Sequence, residues 1–165
     1  MKKHFLLFSL VIILFSACKK GGFDAAKQAT IDDEKIRAYI AANKIDVVKD
    51  PSGVYYKILK LDTGNNHPSL ADTIQVTYTG KLLNGTQFDA QTATVLPTPL
   101  SNLIKGWQIT LPLLTSDDSH VNYSRIRLIV PSGLAYGNSS GGTIPANSVL
   151  DFQLDLIGFY GPGAQ

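Results

Sequence analysis

A single apolar stretch of helical spacing interrupts the strand-like part of this chain. Leu103, Ile104, Trp107, Leu111 and Leu114 recur at intervals of three, four and seven, which places them on one helical face with the sole tryptophan among them. From about Val54 onward almost everything else reads as β-strand. One short apolar helix among strands can bury its stripe only across a sheet. The expectation is therefore an α+β fold, a curved sheet wrapped on this helix, with the working site at the helix's N-terminal end.

The strands are legible from their alternation. Val54 to Leu61 is β-rich, and the run from Thr63 to Ala71 is a loop holding Gly64, Asn65, Asn66 and Pro68. Ile74, Val76 and Tyr78 alternate with Gln75, Thr77 and Thr79, so Tyr78 is expected on the buried face. Asn84-Gly85 is a hairpin signal that returns the chain through Phe88-Asp89. Ile126, Leu128 and Val130 share one face of a further strand, with Arg125 and Arg127 on the other. Leu150, Phe152, Leu154 and Leu156 alternate with Asp151, Gln153 and Asp155 in the last.

The N-terminal region reads as an address followed by a spacer. Lys2 and Lys3 precede an apolar run from Phe5 to Phe15, interrupted by Ser9. At roughly ten apolar residues it is too short to span a bilayer and has the form of a secretory leader. Ser16 and Ala17 then precede Cys18, the sole cysteine, an arrangement that resembles a bacterial lipobox with Phe15 where leucine is commoner. The expectation is a lipoprotein signal peptide at 1–17, a lipid anchor on Cys18, a flexible tether at 18–30 and a helical extension at 31–50. A domain at 51–165 follows. In the extension Asp32, Asp33 and Glu34 precede the stripe of Ile36, Tyr39 and Ile40. Loss of Lys2 and Lys3 with the leader takes the formal charge from +2 to zero, which argues against nucleic acid as a partner.

Standard catalytic equipment is missing from the pattern. His4, His67 and His120 lack ligand spacing, so no metal is expected. Gly137-Asn138-Ser139-Ser140-Gly141 satisfies the hydrolase spacing, yet Gly142, Thr143, Ile144 and Pro145 follow it, which is loop chemistry and not a helix. Gly141-Gly142 opens no phosphate cradle for the same reason. Asp117-Asp118 reads as a solvated turn. Taken singly, Tyr78, Trp107 and Phe152 are as readily core as pocket, and Asp89 is as readily a turn residue as a functional acid.

Their joint pattern is more specific. Val76-Thr77-Tyr78-Thr79-Gly80, Asn84-Gly85 with Phe88-Asp89, Ile104-Lys105-Gly106-Trp107, and Leu134-Ala135-Tyr136-Gly137 with Ile144-Pro145 and Leu150-Asp151-Phe152 occur in that order. Together they resemble the FKBP-type peptidyl-prolyl cis-trans isomerases, in the form of secreted bacterial lipoproteins. The resemblance implies an antiparallel β half-barrel around a short α-helix, no cofactor, and isomerisation of X–Pro bonds in exported proteins by desolvation in an aromatic pocket. It assigns catalysis to Asp89, Tyr136, Tyr78, Phe88 and Phe152, and substrate binding to Leu96, Leu103, Ile104, Trp107 and Ile144. Trp107 would be the floor, Ile104 would offer a backbone N–H, and Tyr136 would donate to a substrate carbonyl. Proline-containing unfolded polypeptides are the implied partners, and tacrolimus-type macrolides are implied ligands of the same pocket. The implied location is the cell envelope, as a periplasmic lipoprotein on the outer membrane.

The chain departs from the family pattern in places. Leu96 stands where an aromatic wall is usual, Thr110 where a glycine commonly follows the tryptophan, and Thr143 where the flap is usually apolar. These changes keep open a second reading, a non-catalytic peptide-binding or chaperone module using the same groove. A third reading is a structural envelope protein with a closed pocket.

Overall fold

The computed structural model describes residues 23–92, 97–117 and 122–161. The expected leader, Cys18 and Leu96 lie outside the described residues. Helix α1 (Ala25–Asn43) is followed by strands β1 (Val48–Lys49), β2 (Tyr55–Lys60), β3 (Thr73–Leu82), β4 (Gln87–Gln91) and β5 (Thr98–Pro99). A short helix α2 (Lys105–Thr110) then precedes β6 (Ser124–Val130) and β7 (Leu150–Tyr160). The strands form one antiparallel sheet in the order β1-β2-β6-β7-β3-β4, with β5 alongside β3. The expected α+β architecture, an antiparallel sheet packed on a short helix, is the one observed.

The two faces of the sheet are covered differently. Ile74, Ile126, Leu128, Leu154 and Leu156 point to the α2 side and are buried with Trp107, Leu111 and Leu114. Each such aliphatic side chain contributes about 1.5–3 kcal/mol by leaving water. Helix and sheet meet closely at Gly106, where an added Cβ would lie 2.6 Å from Cγ1 of Val130. On the opposite face α1 covers Tyr55, Ile129 and Val149 with Ile36, and Tyr39 and Ile40 pack beside it, as the stripe predicts. Beyond α1 that face is charged: Arg125 pairs with Asp155 at 2.6 Å and Arg127 with Asp151 at 2.7 Å.

Two boundaries differ from expectation. Residues 25–30, assigned by composition to a tether, are helical, and the extension ends at Asn43, not at 50. Asp24 caps the helix, its side chain accepting from the Lys27 N–H at 3.0 Å, and the alanines, lysine and glutamine that follow are good helix formers. Asp32 to Glu34 therefore lie in mid-helix, and Val48–Lys49 pairs as a strand with β2.

The second difference is in α2, which holds only the centre of the apolar stripe. Ile104 is its N-cap with extended backbone, Leu103 precedes it, and Leu111–Leu113 is a 3-10 turn. Pro112 has no N–H to give the Gln108 carbonyl, so the α-helical ladder cannot continue there. Thr110, fully buried, turns its hydroxyl back to the Gly106 carbonyl at 2.8 Å, which satisfies it where a glycine would have needed nothing.

Candidate functional site

The aromatic residues meet between α2 and the sheet because three elements converge there. Tyr78 reaches in from β3, Phe152 from β7 and Trp107 from the first turn of α2. Their rings pack edge to face: Tyr78 to Trp107 at 5.0 Å and 73°, and Trp107 to Phe152 at 5.3 Å and 85°. Phe88 meets Phe152 at 5.6 Å and 89°. Edge-to-face pairs of this kind add about 0.5–1.5 kcal/mol each beyond their burial, so the cluster holds its own shape.

A break in strand alternation brings the acid to these rings. Gly80 pairs with Asp89 while Lys81 pairs with Gln87, leaving Phe88 as the extra residue of a β-bulge. Neighbours on a regular strand point to opposite faces, and the bulge is what lets Phe88 and Asp89 both line the same recess. Gly80 gives them room, since a Cβ there would lie 2.6 Å from Phe88 and 2.8 Å from Phe152.

The recess has a volume of about 210 Å³, with Trp107, Phe152, Tyr78 and Val76 inside and Asp89, Tyr136, Leu103 and Ile104 among its walls. Trp107 is only 5% exposed, and its Nε1 is buried without a hydrogen-bond partner among the described residues. The Tyr78 hydroxyl donates to Oδ2 of Asp89 at 2.6 Å, and Oδ1 of the same carboxylate accepts from the Ala90 N–H at 2.8 Å. Burial, and then the bond to Asp89, pushes the Tyr78 phenol well above the usual tyrosine range. Tyr136 is 47% exposed, and its phenol is also raised, by burial first and by the Asp89 charge second. Both phenols therefore keep their protons to a higher pH than a free tyrosine does.

Of the residues expected at the site, Tyr78, Phe88, Asp89, Leu103, Ile104, Trp107, Tyr136 and Phe152 line this one recess. Ile144 does not: it is 8% exposed, packs in the core, and exchanges backbone hydrogen bonds with Gly141 across a tight turn. Its side chain belongs to the same buried cluster as Trp107 and Phe152, directly behind the recess. Val76, Gln91 and Thr98 also line the recess and were not anticipated. Gln91 had a signal, because it pairs directly opposite Tyr78 and so shares its face. Gln108 was missed too: its Nε2 donates to the Leu103 carbonyl at 2.6 Å and to that of Ser101 at 3.0 Å, which fixes the approach to α2. A larger groove of about 540 Å³ lies on the other face, lined by Lys44, Lys57, Lys81, Asp46 and Asp151, and it gathers no aromatic ring.

Comparison with known proteins points the same way. The sequence profile of FKBP-type peptidyl-prolyl cis-trans isomerases matches residues 64–157. The chain is 36% identical over 144 residues to the FKBP-type peptidyl-prolyl cis-trans isomerase FkpA of Aeromonas hydrophila, covering 85% of this chain and 51% of that one. It is 38% identical over 136 residues to the outer membrane protein MIP of Legionella longbeachae, covering 79% and 55% respectively. The chain thus spans about half the length of these relatives. The crystal structure of FkpA from Escherichia coli superposes with a TM-score of 0.68 at 27% identity, over 84% of this chain and 63% of that one.

Proposed function

Because the chain belongs to the FKBP-type peptidyl-prolyl cis-trans isomerase family, we propose that its aromatic recess accelerates rotation about X–Pro bonds of exported polypeptides. The observation that carries this reading is the meeting of Tyr78, Phe88, Asp89, Trp107, Tyr136 and Phe152 around one recess, from five separate segments of chain. Rotation about an X–Pro bond crosses a barrier of about 18–20 kcal/mol because it breaks amide resonance. The twisted amide is less conjugated and less polar than either planar form. A prolyl ring seated over Trp107 takes its amide into apolar surroundings, where the planar forms lose hydration and the twisted form loses less. A rate gain of about 10⁴ needs only about 5–6 kcal/mol of such preference.

The polar groups orient the bound segment. The Ile104 N–H precedes the first turn of α2 and has no partner among the described residues, so it is available to a peptide carbonyl. The raised phenol of Tyr136 stays protonated and donates to a second carbonyl. Asp89, fixed by Tyr78 and the Ala90 N–H, stands beside the twisting bond as a placed negative charge.

Cellular placement belongs to the same proposal. The leader at 1–17 and acylation of Cys18 would hold the domain in the cell envelope, on the outer membrane, and the name of the Legionella relative supports that placement. Mass spectrometry of the mature N-terminus tests it: unmodified Cys18 removes the anchor.

Enzymatic function is tested with the purified chain on a short proline peptide and on refolding of a proline-limited protein. Acceleration is expected, with most of it lost in Asp89→Ala and Tyr136→Phe. No acceleration by the wild-type chain overturns the reading. Suppression of aggregation without isomerisation would assign the recess to peptide holding instead.

A further inference from the structure

Helix α1 lies on the face of the sheet opposite the aromatic recess, yet one of its side chains reaches the segment that carries Tyr136. Asp32, in the middle of α1, is 0% exposed. Its Oδ2 accepts from both donors of Ser132, the N–H at 2.8 Å and the hydroxyl at 2.6 Å, across a separation of 100 residues. Its Oδ1 accepts from Nε2 of Gln28 at 2.8 Å, one helical turn earlier. Ser132 is itself 1% exposed and opens the 3-10 turn Ser132–Leu134.

The Ser132 carbonyl continues the chain of contacts. It accepts from the Ala135 N–H at 3.0 Å and from the Gly137 N–H at 2.8 Å, the two residues that flank Tyr136. Gly137, at a φ of +64° that favours glycine, then accepts at its carbonyl from the Asn147 N–H at 2.8 Å. Every polar backbone and side-chain group of Ser132 is therefore committed, its donors to α1 and its acceptor to the turn around Tyr136.

We infer that Asp32 is a positioning residue for the proposed isomerase reaction: it orients Ser132, and Ser132 sets the place of the Tyr136 phenol at the recess. The inference rests on the isomerase reading for its kinetic consequence, though not for the structural coupling. The choice of residue argues for orientation over adhesion. A carboxylate deprived of solvent is costly unless its lone pairs are used. An apolar residue one turn before Ile36 would have stuck α1 to the sheet without that cost. Two bonds from one oxygen to the N–H and hydroxyl of one serine instead fix a direction, which apolar contact does not. By this account α1 is part of the site's scaffold.

The test uses the full chain carrying Asp32→Ala, Asp32→Asn or Ser132→Ala, each with and without Tyr136→Phe. With Tyr136 present, Asp32→Ala is expected to lower kcat/KM by about tenfold, chiefly through KM, the size of one lost hydrogen bond to a charged group. In the Tyr136→Phe background the same change is expected to cost less than about twofold, because the hydroxyl it positions is already gone. Asp32→Asn keeps an acceptor oxygen and is expected to recover most of the loss. In parallel, hydrogen exchange at the Ala135 and Gly137 amides should quicken by about tenfold while the central amides of β6 and β7 hold their protection. Equal kinetic losses in both backgrounds, or unchanged exchange at Ala135 and Gly137, overturn the inference. Should Asp32→Ala fail to fold, Ser132→Ala, which removes one of the two donors, decides the matter by the same two readouts. An inactive wild-type chain would overturn the isomerase reading alone, and the exchange result would still decide the coupling.

Discussion

The hydroxyl of Tyr78 and the carboxylate of Asp89 form a 2.6 Å hydrogen bond diagonally across the β3–β4 hairpin, at the edge of the aromatic recess. Tyr78 also touches Trp107 edge-on at 5.0 Å, so one side chain joins the acid to the floor. Asp89 is exposed and adds little to packing. Asp89→Ala is therefore expected to lower kcat/KM on a proline peptide by about tenfold or more, the value of a hydrogen bond to a charged group. Its urea midpoint should fall only slightly, since the Tyr78 bond that is lost lies at an exposed edge. A matching fall in stability would place Asp89 in the fold and not in the reaction.

Trp107 is the sole tryptophan, so its emission reports on the recess alone. Titration with a prolyl peptide or a tacrolimus-type macrolide is expected to change that emission, and each ligand should displace the other. Binding without any change in emission would put the ligand elsewhere, for instance in the charged groove on the far face. Trp107→Ala removes a buried ring in contact with Tyr78 and Phe152. The expected loss in unfolding free energy is about 3–5 kcal/mol, measured by denaturant titration.

Gly80 separates the effect of ring placement from the effect of ring removal. An added methyl would press on both Phe88 and Phe152, at 2.6 and 2.8 Å. Gly80→Ala is expected to destabilise by about 1–3 kcal/mol and to weaken peptide binding although every pocket side chain is retained. Unaltered affinity would show that the placement of these two rings is immaterial to the ligand.

Raised phenols set the alkaline limb of activity. Tyr78 is raised by burial and by its bond to Asp89, Tyr136 by burial and by the Asp89 charge. A group with a raised folded-state pKa stabilises the fold below its unfolded value, about 10 for tyrosine, and that contribution is lost as pH climbs through the folded value. Activity dependent on these hydroxyls is thus expected to persist through pH 10. Tyr39 and Tyr55 are raised as well, by burial and by their bonds to Asp151 and Asp33, so ultraviolet titration should show four late-ionising tyrosines, two of them missing from the Tyr78→Phe, Tyr136→Phe double variant. Loss of activity centred on the ordinary tyrosine range would contradict this.

Alternation and helical spacing, both local properties, determined most of the architecture. Period-2 runs placed β3, β6 and β7 with their buried faces, Asn84-Gly85 placed the hairpin, and the apolar stripe placed the one helix beneath the sheet. Eight of the ten recess residues expected from the resemblance stand together, and for Tyr78, Trp107 and Phe152 the local periodicity had already fixed the face. Composition misled at residues 25–30, where small polar residues looked like a tether and a single Asp24 cap makes them a helix. Spacing overreached at Leu111, since periodicity does not register the missing N–H of Pro112.

Tertiary structure alone decided what depends on partners distant in sequence. Strict alternation sets Phe88 and Asp89 on opposite faces, and only pairing with Gly80 and Lys81 creates the bulge that turns both toward Trp107. The acidic run in α1 read as the start of a helix, yet Asp32 lies in mid-helix and is buried against a serine 100 residues away. A chain encodes its local periodicities directly, whereas a bulge or a buried carboxylate is stable only once the opposing strand or donor has arrived to satisfy it.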